Sequence, residues 1–339
     1  MLVLKNVEKR FSLDAGFFAP VGRFVYAVNG VSLELRPNEI YGLVGESGCG
    51  KTTTARLAVG MYHPDVGQVE YTDRDGQVYD LTRPNKRELD ALRSKIKYIF
   101  QDPARSLNPR MSVLDILTAG YRYLPGWPGK KRARDEAAAI LEDVGLRVDD
   151  LERRPADFSG GQRQRISIAR ALIVRPEVLI CDEVVSALDV SIQGQILGLL
   201  LRLREEYKLS MLFIAHDLAV VSYICDRVGV MYRGLLMEEA PAKEIGNNPV
   251  HPYTKHLYAG IPQLEKPVVG EVAARRGFST ARFGEPPDPT RRPEFLPGPT
   301  GVTLDRSQAE TIDPGAEFEE VSPGHRVSRY LRVHPPSTS

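Results

Sequence analysis

Four short apolar runs along the chain each end at a polar residue. The runs are 40–44, 96–100, 178–181 and 211–215. Runs of this length are typical of strands that are buried on both faces of a parallel sheet. Ligands of open α/β sheets bind beyond the carboxyl ends of such strands. We therefore expect one site to be lined by the residues that follow the runs, namely the loop after Val44, Gln101, Asp182, Glu183 and His216.

The rest of the pattern predicts the elements around this sheet. Apolar and polar residues alternate up to about residue 37, which predicts antiparallel strands with one wet face. A hairpin is predicted over 69–79. Segments 84–95 and 130–145 are charged and have a helical period, and strands and helices alternate after residue 166. That alternation is typical of a parallel α/β sheet.

The composition narrows the class of function. The 339 residues carry a net charge of +1, so the chain lacks the basic field that would favour nucleic acid. The chain opens without a signal-peptide pattern, and no apolar run is long enough to cross a bilayer. We therefore expect any membrane role to act through a partner. The cysteines (Cys49, Cys181 and Cys225) have no metal-site or disulfide spacing, which favours a reducing cytoplasm.

The loop after Val44 has the spacing of a phosphate-binding loop, in which two glycines flank four residues and Lys and Thr follow. We expect nucleotide to bind Gly45, Glu46, Ser47, Gly48, Cys49, Gly50, Lys51, Thr52 and Thr53. The backbone N–H groups can surround phosphates, Lys51 can reach the β- and γ-phosphates, and the hydroxyl of Thr52 suits Mg²⁺. The loop alone predicts only nucleotide binding, because kinases, GTPases and motor ATPases share it.

A second candidate anion site precedes the amphipathic stretch 166–172. It consists of Ser159, Gly160, Gly161 and Gln162. Serine is a good helix cap, and the glycines leave backbone N–H groups open at the positive end of a helix. Such an end binds anions readily. A chain with one phosphate loop therefore contains a second phosphate site whose ligand has to be explained.

Together the two sites resemble those of the nucleotide-binding subunit of an ABC transporter, in which Ser-Gly-Gly-Gln is the signature motif. The resemblance implies an α/β fold: a P-loop ATPase core of mixed or parallel sheet with flanking helices, an antiparallel β subdomain and a helical subdomain at about 102–165. It implies a nucleotide-binding domain over 1–246 and a partly irregular C-terminal extension of the oligopeptide-transporter type over 247–339. The implied cofactors are ATP and Mg²⁺.

The resemblance also implies a role for each polar strand end. Asp182 takes the place of the carboxylate that contacts Mg²⁺, and Glu183 polarises the attacking water. Gln101 matches the Q-loop, which touches Mg²⁺ and the water, and His216 matches the switch histidine, which contacts the γ-phosphate and orients Glu183. Asp189 matches the D-loop at the dimer interface. The signature residues, Ser159–Gln162, contact the γ-phosphate that the partner subunit holds.

Two positions are less defined by the resemblance. An aromatic side chain is expected to stack on adenine, and Phe11 is the first choice by its early position, with Tyr26 as the rival. For Phe11 and for Tyr26, a purely structural role in the hydrophobic core is an equal alternative, since aromatic residues fill cores routinely. The family usually has Pro-Thr or a similar pair after the glutamate, whereas this chain has Val184-Val185. We expect that difference to change packing more than chemistry.

Residues 100–113, which include Ser-Leu-Asn-Pro-Arg-Met, resemble the oligopeptide/dipeptide/nickel importer branch. Residues 248–255 resemble the start of that branch's C-terminal extension, where His251–Tyr253 is predicted to be a turn that enters a helix. Many members of the branch carry a cysteine cluster after this point. This chain has no cysteine after Cys225, so no iron–sulfur cluster is expected. The tail is rich in Pro and Gly, and 325–331 is a candidate short strand.

The sequence therefore predicts the ATP-hydrolysing subunit of an ABC importer for peptides, with nickel and oligosaccharide left open as substrates. The implied partners are a second ATPase subunit, identical or paralogous, two transmembrane permease subunits and an extracytoplasmic solute-binding protein, with no nucleic acid. The implied location is the cytoplasmic face of the cell membrane, where the subunit is peripheral. A soluble ABC ATPase without a transport role and a regulatory ATP-sensing module with little hydrolysis are the alternatives.

Overall fold

Two β-sheets and the helices around them form the part of the chain that the computed structural model describes, which is residues 1–12, 24–124, 126–259 and 318–328. The strands in chain order are β1 (Leu2–Ser12), β2 (Phe24–Leu35), β3 (Ile40–Val44), β4 (Val66–Thr72), β5 (Val78–Asp80), β6 (Ile96–Ile99), β7 (Val178–Asp182), β8 (Ser210–Ile214), β9 (Arg227–Tyr232), β10 (Leu235–Pro241), β11 (Phe318–Ser322) and β12 (His325–Ser328).

The described helices come after β3 in the chain and are interspersed among the later strands. In chain order they are α1 (Lys51–Ala58), α2 (Lys86–Lys95), α3 (Pro103–Ser106), α4 (Val113–Tyr121), α5 (Lys130–Asp143), α6 (Gly160–Leu172), α7 (Val190–Tyr207), α8 (Leu218–Ile224), α9 (Ala242–Asn247) and α10 (Pro252–Ala259). Short 3₁₀ turns cover Val148–Glu152 and Pro155–Asp157. Among the described ranges, no helix is both long and apolar enough to cross a membrane.

The larger sheet has the order β11-β12-β10-β9-β3-β8-β7-β6 among the described residues. The strands from β9 to β6 are parallel, and β10, β12 and β11 extend the sheet antiparallel at the β9 edge. The four apolar runs of the sequence are β3, β6, β7 and β8, which lie side by side. The prediction that their carboxyl ends share one edge of a parallel sheet is confirmed.

Both faces of these strands are covered, which explains why they are continuous apolar runs. Ile40, Leu179 and Phe213 face a core that they share with helices α4–α8. Their neighbours along the strands, such as Tyr41 and Ile180, face a second core beneath the other sheet. Successive side chains of a strand point to opposite faces, so a strand between two cores has no position for an exposed polar residue.

The smaller sheet has the order β2-β1-β4-β5 and is antiparallel throughout. It confirms the strands predicted near the amino terminus and the hairpin predicted over 69–79. Asp73 shapes that hairpin, because its carboxylate accepts hydrogen bonds from the N–H groups of Asp75 (3.0 Å) and Gln77 (2.8 Å). An aspartate side chain that bonds the backbone a few residues on is a common way to fix a turn.

The two predicted helical segments are α2 and α5. The amino terminus of α2 is fixed by a capping box, in which the side chain of Asn85 accepts from the N–H of Glu88 and that of Glu88 accepts from the N–H of Asn85. Ser112 caps the start of helix α4, and its hydroxyl accepts from the N–H of Asp115 at 3.1 Å. Along the chain, helices α4, α5 and α6 lie between β6 and β7. They pack on one another, and their buried sides join the core of the larger sheet.

The end of the chain returns to this sheet. Strand β12 pairs antiparallel with β10, where Val327 lies opposite Glu238 and Arg326 opposite Glu239. The candidate strand over 325–331 is therefore confirmed for residues 325–328, while 329–331 lie outside the described residues. The Pro- and Gly-rich tail over 260–317 also lies outside them.

Candidate nucleotide site

The phosphate loop lies between β3 and α1, where two glycines let neighbouring backbones approach closely. Gly45 and Gly50 have φ angles of 149° and 111°, which residues with a side chain rarely adopt. A Cβ atom on Gly45 would lie 2.1 Å from the carbonyl oxygen of Met231, and one on Gly50 would lie 2.1 Å from that of Ala27. Glycine is required at both positions, because β9 and β2 pack directly against the loop.

Lys51 is folded onto the loop that precedes it. Its ammonium donates hydrogen bonds to the carbonyl oxygens of Gly45 (2.7 Å) and Glu46 (2.8 Å), and the residue is 4% exposed. The N–H of Gly234 donates to the carbonyl oxygen of Cys49 at 2.8 Å and holds the loop from another side. Burial raises the pKa of the Cys49 thiol, so this cysteine stays protonated beside the lysine.

A buried carboxylate stands next to the loop. Asp182, the last residue of β7, is 4% exposed. One of its oxygens accepts from the hydroxyl of Thr52 at 3.2 Å, and the other accepts from the hydroxyl of Tyr98 at 2.5 Å. Burial, together with the hydrogen bond to Asp182, raises the pKa of Tyr98 above its usual 10, so the tyrosine remains a donor. The two hydroxyls fix the orientation of the carboxylate toward the loop.

Glu183 turns the chain away from the sheet. Its φ is 49°, a left-handed conformation that is uncommon for residues with a side chain, and its N–H donates to the carbonyl oxygen of Ile214 at 3.0 Å. Its carboxylate accepts a hydrogen bond of 2.6 Å from the side-chain amide of Gln101. The structure thus brings together the polar residues that follow β6 and β7. His216 is exposed just after β8, the strand beside β7.

The predicted second anion site is the start of α6. The hydroxyl of Ser159 accepts from the N–H of Gln162 at 3.3 Å, and the side-chain oxygen of Gln162 accepts from the N–H of Ser159 at 2.9 Å. This reciprocal capping box confirms the predicted cap. A Cβ atom on Gly161 would lie 2.6 Å from Cγ2 of Ile192, so the absence of a side chain there lets α6 approach the start of α7. Ser159 itself is exposed.

Comparison with known sequences decides the family. The pattern of the ABC transporter family matches residues 28–186, which include the phosphate loop and the start of α6. The chain is 48% identical to the oligopeptide transport ATP-binding protein OppF of Bacillus subtilis (strain 168), over 96% of this chain and 95% of the relative. This chain belongs to the ATP-binding subunits of ABC transporters.

Other relatives and solved structures agree with this family assignment. The chain is 40% identical to the oligopeptide transport ATP-binding protein AppF of Bacillus subtilis (strain 168), over 98% of this chain and 97% of the relative. It is 46% identical to the glutathione import ATP-binding protein GsiA of Escherichia coli (strain K12), over 78% of this chain and 42% of GsiA. The dimeric, post-hydrolysis structure of the ATP-binding cassette MJ0796 with ADP and Pi has a TM-score of 0.60 and 27% identity, and covers 71% of this chain and 99% of that chain.

In this ABC subunit, a short segment joins Glu183 to the residue predicted for the D-loop. The carbonyl oxygen of Glu183 accepts from the hydroxyl of Ser186 at 2.9 Å, and the side-chain amide of Gln193 donates to the carbonyl oxygens of Val185 and Leu188, both at 3.0 Å. Asp189 is exposed and stands immediately before α7. The segment is therefore a fixed turn that is anchored to the first turns of α7.

Val184 and Val185, which depart from the usual family pair, are both buried in the core next to the larger sheet. Only 2% and 4% of these residues, respectively, is exposed. Their side chains add to the packing beneath the turn, whereas the carboxylate of Glu183 faces Gln101. That the difference changes packing more than chemistry stays a prediction.

The two candidate aromatic residues for adenine lie in different surroundings. Phe11, on β1, is 38% exposed, and its ring meets that of Tyr62 edge to face at 5.5 Å. Tyr26, on β2, immediately precedes Ala27, whose carbonyl oxygen packs against Gly50 of the phosphate loop. Phe11 stays the prediction for adenine stacking, and Tyr26 stays its rival.

Two tyrosines at the site do not follow from the motif analysis. Tyr98 lies inside an apolar run, and only its contact with Asp182 places its hydroxyl next to the candidate site. Tyr253 lies at the predicted helix-entry turn, which is confirmed by the start of α10 at Pro252. Its hydroxyl accepts from the N–H of Glu46 in the phosphate loop at 3.4 Å. Tyr98 stands in an apolar run, whereas Tyr253 stands among polar residues and prolines, so no common local signal in the sequence marks the two.

Proposed function

We propose that this chain is the ATP-hydrolysing subunit of an ABC importer that takes up peptides or a related small solute. One observation carries the proposal: a single edge of the sheet holds a phosphate loop with a buried lysine, a buried aspartate and a glutamate paired with a glutamine. The relatives of the chain support the transport role, because they include oligopeptide and glutathione importer proteins.

In this proposal the phosphate loop, from Gly45 to Thr53, binds the phosphates of ATP. The backbone N–H groups of the loop and of the first turn of α1 supply donors, and the positive end of the helix favours the anion. Lys51 already lies among the carbonyl oxygens of the loop and supplies the positive charge for the β- and γ-phosphates. Phe11 is proposed to stack on the adenine ring.

The donors next to the loop fit Mg²⁺, which prefers oxygen ligands. The hydroxyl of Thr52 and the carboxylate of Asp182 already touch, and the second oxygen of Asp182 is held by Tyr98, so the carboxylate keeps one orientation. Thr52, Asp182 and Gln101 would hold the ion. When bound, the ion neutralises charge on the phosphates during transfer.

Glu183 and His216 are proposed to carry the hydrolysis. Glu183 polarises the attacking water, and the hydrogen bond from Gln101 orients its carboxylate. His216, at the end of the neighbouring strand, contacts the γ-phosphate and orients Glu183. Phosphoryl transfer depends mainly on positioning and on electrostatic stabilisation, to which Glu183, His216 and Lys51 would contribute together with the signature residues of a partner subunit.

The signature residues are proposed to complete a site on a second ATPase subunit, identical or paralogous. Ser159 is exposed, and its capping box with Gln162 does not use the N–H groups of Gly160 and Gly161, which belong to the first turn of α6 and have no intrahelical acceptor. Asp189 lies on the same side of the fold, since α6 and α7 touch through Gly161 and Ile192. Dimeric structures of the cassette MJ0796 are among the similar solved structures.

The same proposal assigns the remaining partners and the location. The subunit would act at the cytoplasmic face of the membrane as a peripheral protein, with two transmembrane permease subunits and an extracytoplasmic solute-binding protein. The nucleotide-binding domain would span 1–246, with the helical subdomain at about 102–165, and the C-terminal extension would span 247–339. Peptide is the proposed substrate class. A soluble ABC ATPase and a regulatory module are disfavoured by the importer relatives.

The variant Glu183→Gln tests the catalytic assignment. It keeps the size and the hydrogen-bonding reach of the side chain but removes its charge. We expect ATP turnover by the subunit with its permeases to be lost, while the affinity for ATP remains. The matched control is Glu205→Gln on the exposed surface of α7, which should leave both unchanged. Turnover by Glu183→Gln at the normal rate would contradict the role given to Glu183.

A further inference from the structure

A tyrosine from the C-terminal extension touches the phosphate loop. Tyr253 is 5% exposed, and the centroid of its ring lies 4.4 Å from the ring centroid of Tyr232, the last residue of β9. Its hydroxyl accepts a long hydrogen bond of 3.4 Å from the N–H of Glu46. Tyr253 is thus a buried residue that lies outside residues 28–186, the range that matches the family pattern. It contacts Glu46, the second residue of the loop.

The peptide group that Tyr253 contacts also contacts the loop lysine. The N–H of Glu46 and the carbonyl oxygen of Gly45 belong to one planar peptide group. Its carbonyl oxygen accepts from the ammonium of Lys51 at 2.7 Å, while its N–H donates to Tyr253. The tilt of this peptide group therefore fixes part of the environment of Lys51, and Tyr253 holds the opposite end of the group.

Tyr253 is itself held by a buried polar chain. Its N–H donates to Nδ1 of His251 at 3.1 Å, and the N–H groups of His251 (2.9 Å) and Val250 (2.8 Å) donate to the carboxylate of Glu238. Glu238 is fully buried on β10 and lies 2.6 Å from Nε2 of His325 on β12. Strand β12 comes from the end of the chain, so both described parts of the extension contribute to the placement of Tyr253.

The hydroxyl remains neutral across the physiological pH range. Burial raises the pKa of Tyr253 above its usual 10, and the nearby carboxyl of Glu46 raises it further. A neutral hydroxyl can accept the N–H of Glu46 without adding negative charge beside the phosphates. The contact therefore aligns the loop and does not repel an anionic ligand.

We propose that Tyr253 is a positioning residue for the phosphate loop, through which the C-terminal extension sets the affinity for ATP. This role rests on the nucleotide site proposed above. A loop whose peptide groups are already aligned loses less conformational freedom when phosphate binds, so the contact strengthens binding. A neutral hydrogen bond of this kind corresponds to a change in affinity of about two- to tenfold.

The test uses Tyr253→Phe in the full-length chain, because phenylalanine keeps the ring against Tyr232 and removes only the hydroxyl. We expect the Kd for ATP to rise about two- to tenfold, and the KM for ATP to rise with little change in kcat. The melting temperature is measured alongside. A merely structural role would change the stability of the variant but would not raise KM while leaving kcat nearly unchanged.

Tyr258→Phe is the matched control, since it removes a hydroxyl from the same helix. Tyr258 packs beside Gly246 of α9 and away from the loop, so its variant should bind ATP as the unmodified chain does. Lys51→Ala serves as the positive control for the loop. If Lys51→Ala weakens binding while Tyr253→Phe leaves the Kd unchanged, the positioning role is refuted and the nucleotide site stands. If neither variant changes the Kd, the loop assignment and the positioning role both fail.

Discussion

Replacing Gly50 by alanine tests the close approach of β2 to the phosphate loop. The new Cβ would stand 2.1 Å from the carbonyl oxygen of Ala27, and the φ angle of 111° would be unfavourable for alanine. The unfavourable φ alone costs about 1–2 kcal/mol. The clash with a backbone atom adds about 1–3 kcal/mol, the usual cost of overpacking, because neither strand β2 nor the loop can move freely.

Gly76→Ala is the matched control for this variant. Gly76 has a φ of 82° in the hairpin between β4 and β5, and a Cβ there would meet no atom within 4 Å. It carries the conformational cost without the clash. The difference between the two variants is then about 1–3 kcal/mol, or a melting temperature lower by roughly 2–12 °C for Gly50→Ala. Thermal unfolding followed by circular dichroism measures both.

Nucleotide binding supplies the second readout. Gly50→Ala displaces the loop from Ala27 and from the N–H of Gly234, which holds the Cys49 carbonyl, so its affinity for ATP should fall, while Gly76→Ala should bind normally. Equal melting temperatures for the two variants would show that the contact with Ala27 is not a tight one. The steric account of the spacing of glycines in this loop would then be wrong.

Two further predictions concern charged groups. Burial, together with the charges of Arg170 and Arg93, lowers the pKa of Lys97 from 10.5 to about 8. The positive charge of Lys97 therefore destabilises the fold below pH 8, and this destabilisation disappears between pH 8 and 10.5. Lys97→Met should therefore be more stable at pH 7 by about 3 kcal/mol, and this gain should shrink as the pH rises through that window in denaturant titrations; a gain that is independent of pH would contradict it. Asp182→Asn should raise the Mg²⁺ concentration needed for half-maximal ATP turnover at least about tenfold, as measured in a metal titration, because an amide is a weaker ligand for a hard cation; an unchanged Mg²⁺ requirement would exclude Asp182 as the metal residue.

The parallel core was predictable because its strands are buried on both faces. A strand of this kind, such as β7, has no exposed position, so its sequence is a short apolar run that ends where the chain reaches the sheet edge. The residues that follow the runs, among them Gln101 and Glu183, could then be placed together without knowledge of strand order. The helix start at Ser159 was equally predictable, since a capping box depends on residues three apart in the sequence.

The contacts that the sequence did not reveal are those between distant residues. The hydroxyl of Tyr253 meets Glu46 across 207 positions, and Tyr98 meets Asp182 across 84. Neither contact follows from a local period or a motif, because each depends on which strands and loops the tertiary fold places side by side. The pairing of β12 with β10 is of the same kind, and its residues were recognised only as a candidate strand.

The turn from Glu183 to Asp189 gives the two proposed halves of the site a mechanical connection. Val184 and Val185 are locked in the core, and the carbonyl oxygens of Val185 and Leu188 are held by Gln193. Close-packed interiors transmit displacement and do not absorb it. A partner's nucleotide that shifts α6 would therefore act on Leu188, which lies 3.8 Å from the Cβ position of Gly160, and through the turn on Glu183. Because the buried valines and Gln193 both hold this turn, the departure from the usual family pair is compatible with the proposed coupling between the predicted signature residues and Glu183.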